Sequence, residues 1–425
     1  MNTAWPKRKL GELAKVSRGS SPRPIVDTRY FEGGTIPWVK IADATKSGKF
    51  LYDTKEHVND FGASFSKRLP PGTILVAASG TLGYTQILGV EACAHDGWLI
   101  LQNLRGLDRD FTYYALKTLE QHFFNSAYGA AIQNINTDIL RETEIPFPSL
   151  PVQRRIAGIL SAYDELMENS QRRIRLLEVI ASAIYREWFV YFRFPGHEKL
   201  PRVASPLGYI PKSWEATTLG TQLSALESGK RPKGGIRDVE DGVPSIGAEN
   251  INGVGRHDFA GEKFVPRDFF QKMRKGVVRD RDVAIYKDGA YIGKSSYFRD
   301  GFPHTECCVN EHVFLLRADG VRLKQNALYL WLQQPDTVQA IRATNANAAQ
   351  PGINQQSVGG LELVVPDEKT AAHFDRLVEP LLAEIINLAK RIQNLRRTRD
   401  LLLPRLLSGQ VPLASEIKNV PETTT

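Results

Sequence analysis

One segment of the sequence has the residue types of a phosphate-binding loop. It reads Asp288-Gly289-Ala290-Tyr291-Ile292-Gly293-Lys294-Ser295, with a lysine and a hydroxyl directly after the second glycine. In such a loop the backbone amides wrap the phosphates, and this requires four residues between the glycines, whereas this segment has three. The spacing therefore argues against a nucleotide site here.

Three further groups have residue types used in catalysis. Glu416-Ile417-Lys418 has the Glu-x-Lys form of a nuclease site, but it lies in a polar tail. His95-Asp96 and Glu311-His312 each join a histidine to a carboxylate, but no serine or cysteine nucleophile is spaced to use them. No glycine-rich dinucleotide loop follows a predicted strand, and the Asn/Asp-Pro-Pro-Tyr/Phe motif of amino-methyltransferases is missing from the sequence. The histidines are therefore predicted to make structural polar contacts.

Residue types suited to reading DNA recur in several segments. The arginine guanidinium can donate two hydrogen bonds to a guanine edge or a phosphate, and serine or threonine hydroxyls can bind bases or phosphates. Asn or Gln can pair bidentately with adenine. Each cluster alone is a weak signal, because basic loops are usually only solvated. The candidate DNA-binding residues are Arg18, Ser20, Ser21, Arg23, Thr81, Tyr84, Gln133, Asn134, Asn136, Lys230, Arg231, Lys233, Arg237, Lys294, Asn354 and Gln355.

These candidates are distributed over two copies of one pattern. The same residue types recur in the same order about 210 residues apart. The first set is Trp5, Leu10-Gly11 and Gly19, and the second is Trp214, Leu219-Gly220 and Gly229. Further matches keep that order: Ile135-Asn136 with Ile353-Asn354, Pro148 with Pro366, and Arg173-Ile174 with Arg391-Ile392. The sequence therefore predicts an internal pseudo-two-fold repeat with insertions in loops.

Each copy has a strand-rich first part and a long helix. Short β-branched runs between glycines and prolines, such as residues 73–77 and 309–316, predict a mixed α/β globule. The helices show alternating steps of three and four, the seam spacing of a coiled coil. The predicted seams are Ile156, Ile159, Tyr163, Leu166, Ser170, Arg173, Leu177, Ile180 and Ile184, and Phe374, Leu377, Leu381, Ile385, Leu388, Ile392, Leu395, Arg399 and Leu402.

Two such seams in one chain can bury each other. We expect an antiparallel pair, and the alternative is that each helix folds back on its own globule. Pro380 lacks an amide donor and is expected to kink the second helix or mark a fresh start. The predicted fold class is α+β: two mixed α/β domains separated by two long antiparallel helices that form a coiled coil.

Length and composition set the limits of this interpretation. The chain has 425 residues, 42% hydrophobic and 24% charged, which suits two or three globular domains. Its net charge of +8, spread almost evenly along the sequence, permits an anionic partner without demanding one. No apolar run is long enough for a membrane span and the start lacks the apolar core of a signal peptide, so we expect a cytoplasmic protein. Cys93, Cys307 and Cys308 are expected to be small buried side chains, and no metal site is predicted.

The two helical segments contain the most specific stretches of the sequence. Pro151-Val152-Gln153-Arg154-Arg155 with the residues that follow to Asp164, residues 186–190, and Asn394-Leu395-Arg396-Arg397 with the residues that follow to Leu406 resemble the central and distal helical regions of type I restriction-modification specificity subunits. That family's first region usually begins Pro-x-x-Glu-Gln, from which Val152-Gln153 departs slightly.

The resemblance implies a division of the chain. Residues 1–150 would be a first target-recognition domain, 151–196 a central helical spacer, 197–366 a second target-recognition domain, 367–410 a distal helical spacer and 411–425 a polar tail. Each recognition domain would read one half of a split, asymmetric DNA target, and the helices would set the unread spacer.

The resemblance also implies partners. Double-stranded DNA, two methyltransferase (modification) subunits and restriction/translocase subunits would bind this chain. No cofactor is expected on the chain itself, while the partners would use S-adenosylmethionine, ATP and Mg²⁺. A non-catalytic role agrees with the motif search, which did not use the family. The alternatives are a nuclease or methyltransferase with a diverged catalytic site, and a helical interaction adaptor with no DNA role.

Overall fold

The computed structural model describes residues 5–45, 47–127, 134–236, 239, 241–289, 291–345, 352–411 and 413. The chain divides into two compact units: unit 1 comprises residues 1–168 and 394–425, and unit 2 comprises residues 169–393. Each unit combines a mixed α/β globule with segments of two long helices. The predicted α+β class is therefore confirmed. The division of the chain at residues 150, 196, 366 and 410 stays a prediction.

Unit 1 begins with strands that alternate with short helices. Its strands are β1 (Lys7–Lys9), β2 (Lys15–Arg18), β3 (Ile36–Val39), β4 (Phe50–Leu51), β5 (His57–Val58), β6 (Lys67–Leu69), β7 (Ile74–Ala77), β8 (Thr85–Leu88), β9 (Ala92–Ala94), β10 (Trp98–Gln102) and β11 (Glu144–Pro146). Its helices are α1 (Leu10–Leu13), α2 (Ile41–Ala44), α3 (Asp60–Ser64), α4 (Arg109–Lys117), α5 (Glu120–Ala127), α6 (Thr137–Glu142) and the start of α7 (Leu150–Tyr185).

The strands of unit 1 form layers that bury both faces of one sheet. That sheet has the order β2-β10-β7-β8-β4, a second sheet has the order β5-β3-β9-β6, and β1 pairs with β11. On β7, Ile74 and Val76 pack with α4 and the start of α7, whereas Leu75 and Ala77 pack toward Trp98 and the second sheet. Because successive side chains on a strand point to opposite faces, this strand is buried along its whole length.

The start of α7 is fixed by a buried glutamine. Gln153 is fully buried, and its side chain accepts a hydrogen bond from Asp108 N at 2.8 Å. Its amide nitrogen donates to the carbonyl oxygens of Gly106 at 3.0 Å and Pro148 at 2.8 Å. Pro148 precedes α7, whereas Gly106 and Asp108 belong to the loop before α4. Because all three bonds satisfy backbone groups, the buried glutamine ties the start of α7 to that loop of the globule.

Unit 2 repeats the architecture of unit 1 with an added hairpin. Its strands are β12 (Arg202–Ser205), β13 (Gly208–Pro211), β14 (Glu215–Thr218), β15 (Leu223–Ser228), β16 (Val243–Ile246), β17 (Phe264–Val265), β18 (Val283–Tyr286), β19 (Ser295–Tyr297), β20 (Cys308–Val309), β21 (Val313–Ala318) and β22 (Glu362–Val365). Its helices are the end of α7, then α8 (Arg267–Gln271), α9 (Gln325–Leu332), α10 (Pro335–Ala343), α11 (Gln355–Gly359) and the start of α12 (Glu368–Leu407).

The sheets of the two units have the same strand order, except that β4 and β6 of unit 1 have no counterpart among the sheet strands described in unit 2. The order β15-β21-β18-β19 matches β2-β10-β7-β8, the order β17-β16-β20 matches β5-β3-β9, and β14-β22 matches β1-β11. The parallel pair is also repeated, since β3 runs parallel to β9 and β16 runs parallel to β20. The predicted internal repeat is therefore confirmed. The run predicted at residues 309–316 is divided by a turn between β20 and β21.

The two long helices pair antiparallel within each unit. In unit 1, Arg399 donates to Asp164 at 2.6 Å, and the Tyr114 hydroxyl donates to the same carboxylate at 2.6 Å. In unit 2, Arg173 pairs with Glu384 at 2.7 Å. Partners rise along α7 as they fall along α12, which is the pattern of an antiparallel pair. The alternative, in which each helix folds back on its own globule alone, is not observed.

The buried line of α7 follows only part of the predicted seam: Ile156 and Ser170 are buried as predicted. Met167, Ile174 and Ala181 are buried, whereas Leu166 and Ile180, which were predicted on the seam, are exposed. Charged residues also lie on the packed side of α7: Asp164 meets Arg399 of α12, and Glu178 meets Arg256 of the unit 2 globule. The seam of α12 is closer to the prediction, with Phe374, Ile385 and Leu388 buried. Leu377 is exposed there.

The second long helix does not start afresh at Pro380. The helix α12 is continuous from Glu368 to Leu407, with Val378 and Leu382 buried on either side of the proline. A proline removes one backbone hydrogen bond, but the burial of the flanking side chains in the core of unit 2 holds both turns in the same helix. Beside the start of α12, α7 gives way to a π-helical segment at Arg186–Val190, in which Phe189 contacts Phe374 with ring centroids 4.7 Å apart.

The cysteines and the helices agree with two further expectations. Cys93, Cys307 and Cys308 are buried and unbridged, as predicted. Among the helices of the described ranges, none combines the length and apolar character that crossing a bilayer requires.

A close backbone approach occurs at the same place in both units. An added Cβ at Gly229, just after β15, would lie 1.6 Å from the Val309 carbonyl oxygen at the end of β20. At the equivalent Gly19, after β2, it would lie 2.2 Å from the His95 carbonyl oxygen. Because these neighbours are backbone atoms of a sheet, they cannot give way as a flexible side chain would. Both positions therefore require glycine for space.

Substitution of Gly229 is expected to destabilise unit 2 strongly. The Gly229→Ala variant should lose at least about 3 kcal/mol of unfolding free energy, because the new methyl group cannot be accommodated. Gly261→Ala is the matched control, since no atom lies within 4 Å of its added Cβ, and it should change stability by less than about 0.5 kcal/mol. Urea denaturation followed by circular dichroism measures both. Equal stability of the two variants would contradict the close approach.

A carboxylate on α12 ties this helix to the globule of unit 2. Glu379 accepts hydrogen bonds from Arg299, Arg281 and Asn326, each at 2.7 Å. Burial raises the pKa of Glu379, but these donors and the two positive charges outweigh it, and its pKa falls from an ordinary 4.5 to about 2. The carboxylate is therefore ionised at any pH well above 2.

The depressed pKa predicts how stability depends on pH. The contribution of Glu379 is fully present above pH 4.5 and is lost as the pH falls toward 2, because the unfolded chain binds the proton more tightly. The difference in unfolding free energy between the wild type and Glu379→Gln should therefore shrink over that window. Glu384→Gln, which removes one surface ion pair, is the control and should cost less than about 1 kcal/mol. A Glu379→Gln difference that does not change with pH would refute this account.

Candidate nucleic-acid interface

The loop after β2 is held by one carboxylate. Asp96 lies in the turn between β9 and β10, and its carboxylate pairs with the Arg23 guanidinium. Its backbone carbonyl accepts a hydrogen bond from Arg18 Nε at 2.8 Å, and its backbone amide donates to Ser21 Oγ at 3.2 Å. Three of the predicted DNA-binding residues therefore converge on one turn.

The environment of Asp96 keeps it charged. Burial raises the pKa of the Asp96 carboxyl, but its interactions with His95 and Arg23 and the hydrogen bond of Ser21 outweigh burial and lower the pKa. Arg23 is therefore held in place by an ionised partner while most of its side chain is exposed. An oriented guanidinium of this kind is suited to a phosphate or a guanine edge.

Unit 2 builds the same arrangement with different residues. Arg231 pairs with Glu311 at 2.9 Å, in the turn between β20 and β21. Ser228 Oγ donates to the Glu311 carbonyl oxygen at 3.2 Å, which is the place that Arg18 takes on Asp96. We call Asp96 and Glu311 the carboxylate anchors. Each anchor fixes the loop that follows the glycine of its unit.

Backbone hydrogen bonds bring the other predicted segments to the same edge. In unit 1, Ala78 N donates to Gly97 O at 2.8 Å and Ile135 N donates to Ala78 O at 3.0 Å. In unit 2, Lys287 N donates to His312 O and Ile353 N donates to Lys287 O, both at 3.0 Å. The anchored loop, the β7–β8 or β18–β19 turn and the amide segment are thus neighbours in each unit. We call each of these faces a loop edge.

The side chains of the turn residues differ between the two units. Thr81 is exposed, whereas Tyr84 is half-buried and its hydroxyl donates to Ala44 O at 3.0 Å. Burial raises the pKa of Tyr84. Lys294 stands at the place of Tyr84 and is exposed, with its ammonium 4.4 Å from the centre of the Tyr291 ring. Unit 2 therefore offers a cation at this position and unit 1 offers an aromatic ring.

Three of the predicted amide readers have structural hydrogen bonds. Asn136 caps the start of α6, where its side-chain oxygen accepts from Asp138 N at 3.0 Å and Ile139 N at 2.8 Å. Asn354 caps α11 in the same way, accepting from Ser357 N at 2.8 Å. The Gln355 amide donates to Leu226 O at 3.0 Å. Bidentate pairing of Asn136 or Asn354 with adenine would need the oxygen that the helix uses.

The remaining predicted residues fall into three groups. Lys230 and Lys233 are exposed beside Arg231, and Ser20 is half-buried with its carbonyl bonded to Ser66 Oγ at 2.7 Å. The Asn134 side-chain oxygen is buried, with no hydrogen-bond partner among the described atoms. Gln133 and Arg237 lie outside the described residues. Contact of any of these sixteen candidates with DNA stays a prediction.

The sequences that resemble enzyme motifs serve structural roles where they are described. Residues 287–289 and 291–294 lie in the connection between the antiparallel strands β18 and β19, whereas a phosphate loop leads from a strand into a helix. His95 Nδ1 accepts from Gly97 N at 2.9 Å, and His312 Nδ1 lies 2.9 Å from Asp288. The prediction of structural contacts for both histidines is confirmed. Residues 416–418 lie outside the described residues.

Two features of the loop edges were missed by the sequence analysis. The anchors Asp96 and Glu311 were treated there only as partners of histidines. Asp96 follows β9 and Glu311 follows β20, which are equivalent strands of the repeat. Lys40 was not considered either. Its ammonium lies 4.7 Å from the centre of the Trp38 ring and 2.6 Å from Glu56. The signal for the anchors was the corresponding place of His95-Asp96 and Glu311-His312 in the two halves of the sequence.

Comparison with known proteins gives a consistent result. A family model described as the type I restriction modification DNA specificity domain matches residues 2–179. The MjaIX type I restriction enzyme specificity subunit of Methanocaldococcus jannaschii is 25% identical over 418 residues, covering 96% of this chain and 93% of the relative. A putative type I specificity subunit of Mycoplasma genitalium is 28% identical over 284 residues, 65% of either chain.

A solved structure has the same fold. The crystal structure of the S subunit of a type I restriction-modification system from M. genitalium aligns with a TM-score of 0.56 and 20% identity, covering 96% of this chain and 97% of that chain. The shared fold extends over both units, so the similarity covers the whole repeat.

Substitutions of Asn354 separate capping from base contact. Asn354→Ala should lower the unfolding free energy by about 1 kcal/mol, because Ser357 N loses its acceptor. Asn354→Asp should keep stability near that of the wild type, since a carboxylate caps the helix equally well but cannot donate to a base. Denaturation by urea measures the stability of both variants. An alanine variant as stable as the wild type would show that the cap is not formed.

Proposed function

The chain belongs to the type I restriction-modification DNA specificity family, and from this premise we propose that each unit reads one half of a split DNA target through its loop edge. The observation that carries the proposal is the equivalence of the two edges. Each presents an arginine held by a carboxylate anchor, beside a turn and an amide segment joined by the same backbone hydrogen bonds. Different side chains on equal scaffolds suit the reading of two different half-sites.

The charges at the loop edges favour selective over indiscriminate binding. Arg18, Arg23 and Arg231 supply positive charge for phosphates and guanine, and Lys230, Lys233 and Lys294 add to it in unit 2. Asp96 and Glu311 bring negative charge to the same places, which weakens attraction to phosphate alone. Net binding then depends on contacts with the correct bases. The amides of Asn134 and Gln355, with Ser20, Ser21 and Thr81, are the candidates for such contacts in the described residues.

The long helices are proposed to set the unread spacer. They pair through Asp164 with Arg399 in unit 1 and through Arg173 with Glu384 in unit 2, so their register is fixed by charge as well as by apolar packing. A fixed register would give a fixed distance between the two half-sites, which is what a bipartite target requires.

The partners and the chemistry are also part of the proposal. Two methyltransferase subunits that use S-adenosylmethionine, and restriction/translocase subunits that use ATP and Mg²⁺, would assemble on this chain, which itself would not catalyse a reaction. Exposed apolar side chains on α7 support a docking role, since Leu176 and Val179 are more than half exposed on a helix whose other face is buried. Exposed apolar side chains are unfavourable in water, and a partner that covers them removes this surface from water.

Exchange of one unit's globule tests the proposal. Residues 1–150 are replaced by those of a relative, the chain is purified with a methyltransferase subunit, and methylated adenines are mapped by sequencing. One half of the methylated motif should change, while the other half and the spacer stay the same, because unit 2 and most of both helices are untouched.

The reciprocal exchange is the matched control. Replacement of residues 197–366 should change only the other half of the motif. The isolated chain, without the methyltransferase subunit, should neither bind S-adenosylmethionine nor methylate DNA. A change of both halves in either chimera, or of neither half, would overturn the assignment of one half-site to each unit.

A further inference from the structure

Unit 2 contains a cluster of metal-ligand side chains that the recognition function does not use. His257 and Glu262 lie in the segment between the 3₁₀ helix Ala248–Asn250 and β17, and His304 lies between β19 and β20. One ligand atom from each of these residues can be chosen so that all three lie within 4.8 Å of one another. Two separate loops therefore bring two imidazoles and one carboxylate to a single point.

The geometry of the cluster is convergent. His257 Nε2 lies 2.5 Å from Glu262 Oε1, and His304 Nε2 contacts the same oxygen atom. The two imidazole rings are perpendicular, with centroids 5.5 Å apart. Imidazole Nε2 atoms and a carboxylate oxygen are ligands of divalent transition metals. Bonds of about 2 Å to one tetrahedral ion place such atoms roughly 3.3 Å apart, so the Glu262 carboxylate would move by about 1 Å to admit the ion.

The rings are positioned by apolar packing. Phe259 contacts His257 with ring centroids 4.6 Å apart and His304 with centroids 5.7 Å apart, both edge to face. Phe302 packs against Phe259 from the other loop, with centroids 6.3 Å apart. The histidines therefore keep their positions through contacts that do not involve the carboxylate. A ligand set held in this way is preorganised for an ion.

Burial and charge give the second, independent reason. The side chain of His257 is 1% exposed, that of Glu262 is 12% exposed and that of His304 is 24% exposed. Within the described part of the chain, the ion-pair and hydrogen-bond partners of the Glu262 side chain are these two histidines, with no lysine or arginine among them. An ionised carboxylate withdrawn from water needs a compensating charge. A divalent cation bound at these three side chains would provide that charge.

We propose that His257, Glu262 and His304 bind one divalent transition-metal ion of the Zn²⁺ class. The two Nε2 atoms and one Glu262 oxygen supply three ligands, and a water molecule takes the fourth position on the more exposed His304 side. The ion links the segment before β17 to the segment before β20. Its role is to stabilise the second target-reading globule, and it does not depend on the proposed function of that globule.

Titration of the full-length chain with zinc chloride tests the proposal. After treatment with a chelator and its removal, isothermal titration should show one high-affinity site per chain, and zinc should raise the Tm. Replacement of zinc by Co²⁺ should give the visible d–d absorption of a nitrogen- and oxygen-ligated ion. His304→Gln and Glu262→Gln should each weaken binding at least about 100-fold, because each removes a ligand.

The control is His57→Gln in unit 1. His57 is also hydrogen-bonded to a carboxylate, Asp53, at 2.8 Å, but among the described residues this pair belongs to no group of three metal-ligand side chains. This variant should therefore bind zinc like the wild type. Circular dichroism shows whether each variant is folded, and the Co²⁺ spectrum of the wild type reports on the ligands without any substitution. Absence of a stoichiometric site in the wild type, or full binding by both folded ligand variants, would overturn the proposal in favour of a hydrogen-bonded triad.

Discussion

The arrangement of both loop edges depends on the close passage of one backbone segment past another. At Gly19 and at Gly229 the chain leaves its strand within contact distance of carbonyl oxygens at the end of the parallel strand pair, where a Cβ has no room. Because of this passage, the residues that follow lie beside the next turn, and Arg23 and Arg231 meet the carboxylate anchors. The turn that carries the anchor accepts a backbone hydrogen bond from the β7–β8 or β18–β19 connection. That connection accepts a backbone hydrogen bond from the amide segment and so positions it. A single steric constraint thus organises each edge, and it occurs in both halves of the chain.

The carboxylate anchors explain how a modest and dispersed positive charge can serve DNA recognition. The net charge of +8 is not concentrated in one segment, and several of the arginines at the edges are already paired. Such a surface attracts phosphates weakly by itself, so affinity is expected to be shared with partner subunits, while orientation of the arginines is retained. A chain that orients the arginines while its partners supply affinity fits a family whose members are named for specificity.

The sequence predicted the architecture better than the contacts. The repeat was visible because the same glycines, prolines and Ile-Asn pairs recur in order, and the structure places them at equivalent positions. The seam of α12 was nearly correct because apolar residues dominate it. The seam of α7 was only partly correct, since Leu166 and Ile180 are exposed while Ile156 and Ser170 are buried. The charged partners of this helix, Arg399 and Arg256, are far away in the sequence. Likewise, Asn136 and Asn354 have the residue type of a base reader and of a helix cap, and local geometry decides between these roles.

The central claim is that two equivalent edges in one chain read two half-sites. Mapping of methylated adenines across the genome of a host that carries this chain, compared with the same host lacking it, tests this claim most directly. The account predicts one chain-dependent motif made of two short specified halves with a spacer of constant length and unspecified sequence. A single contiguous motif, or a methylation pattern unchanged by loss of the chain, would contradict it.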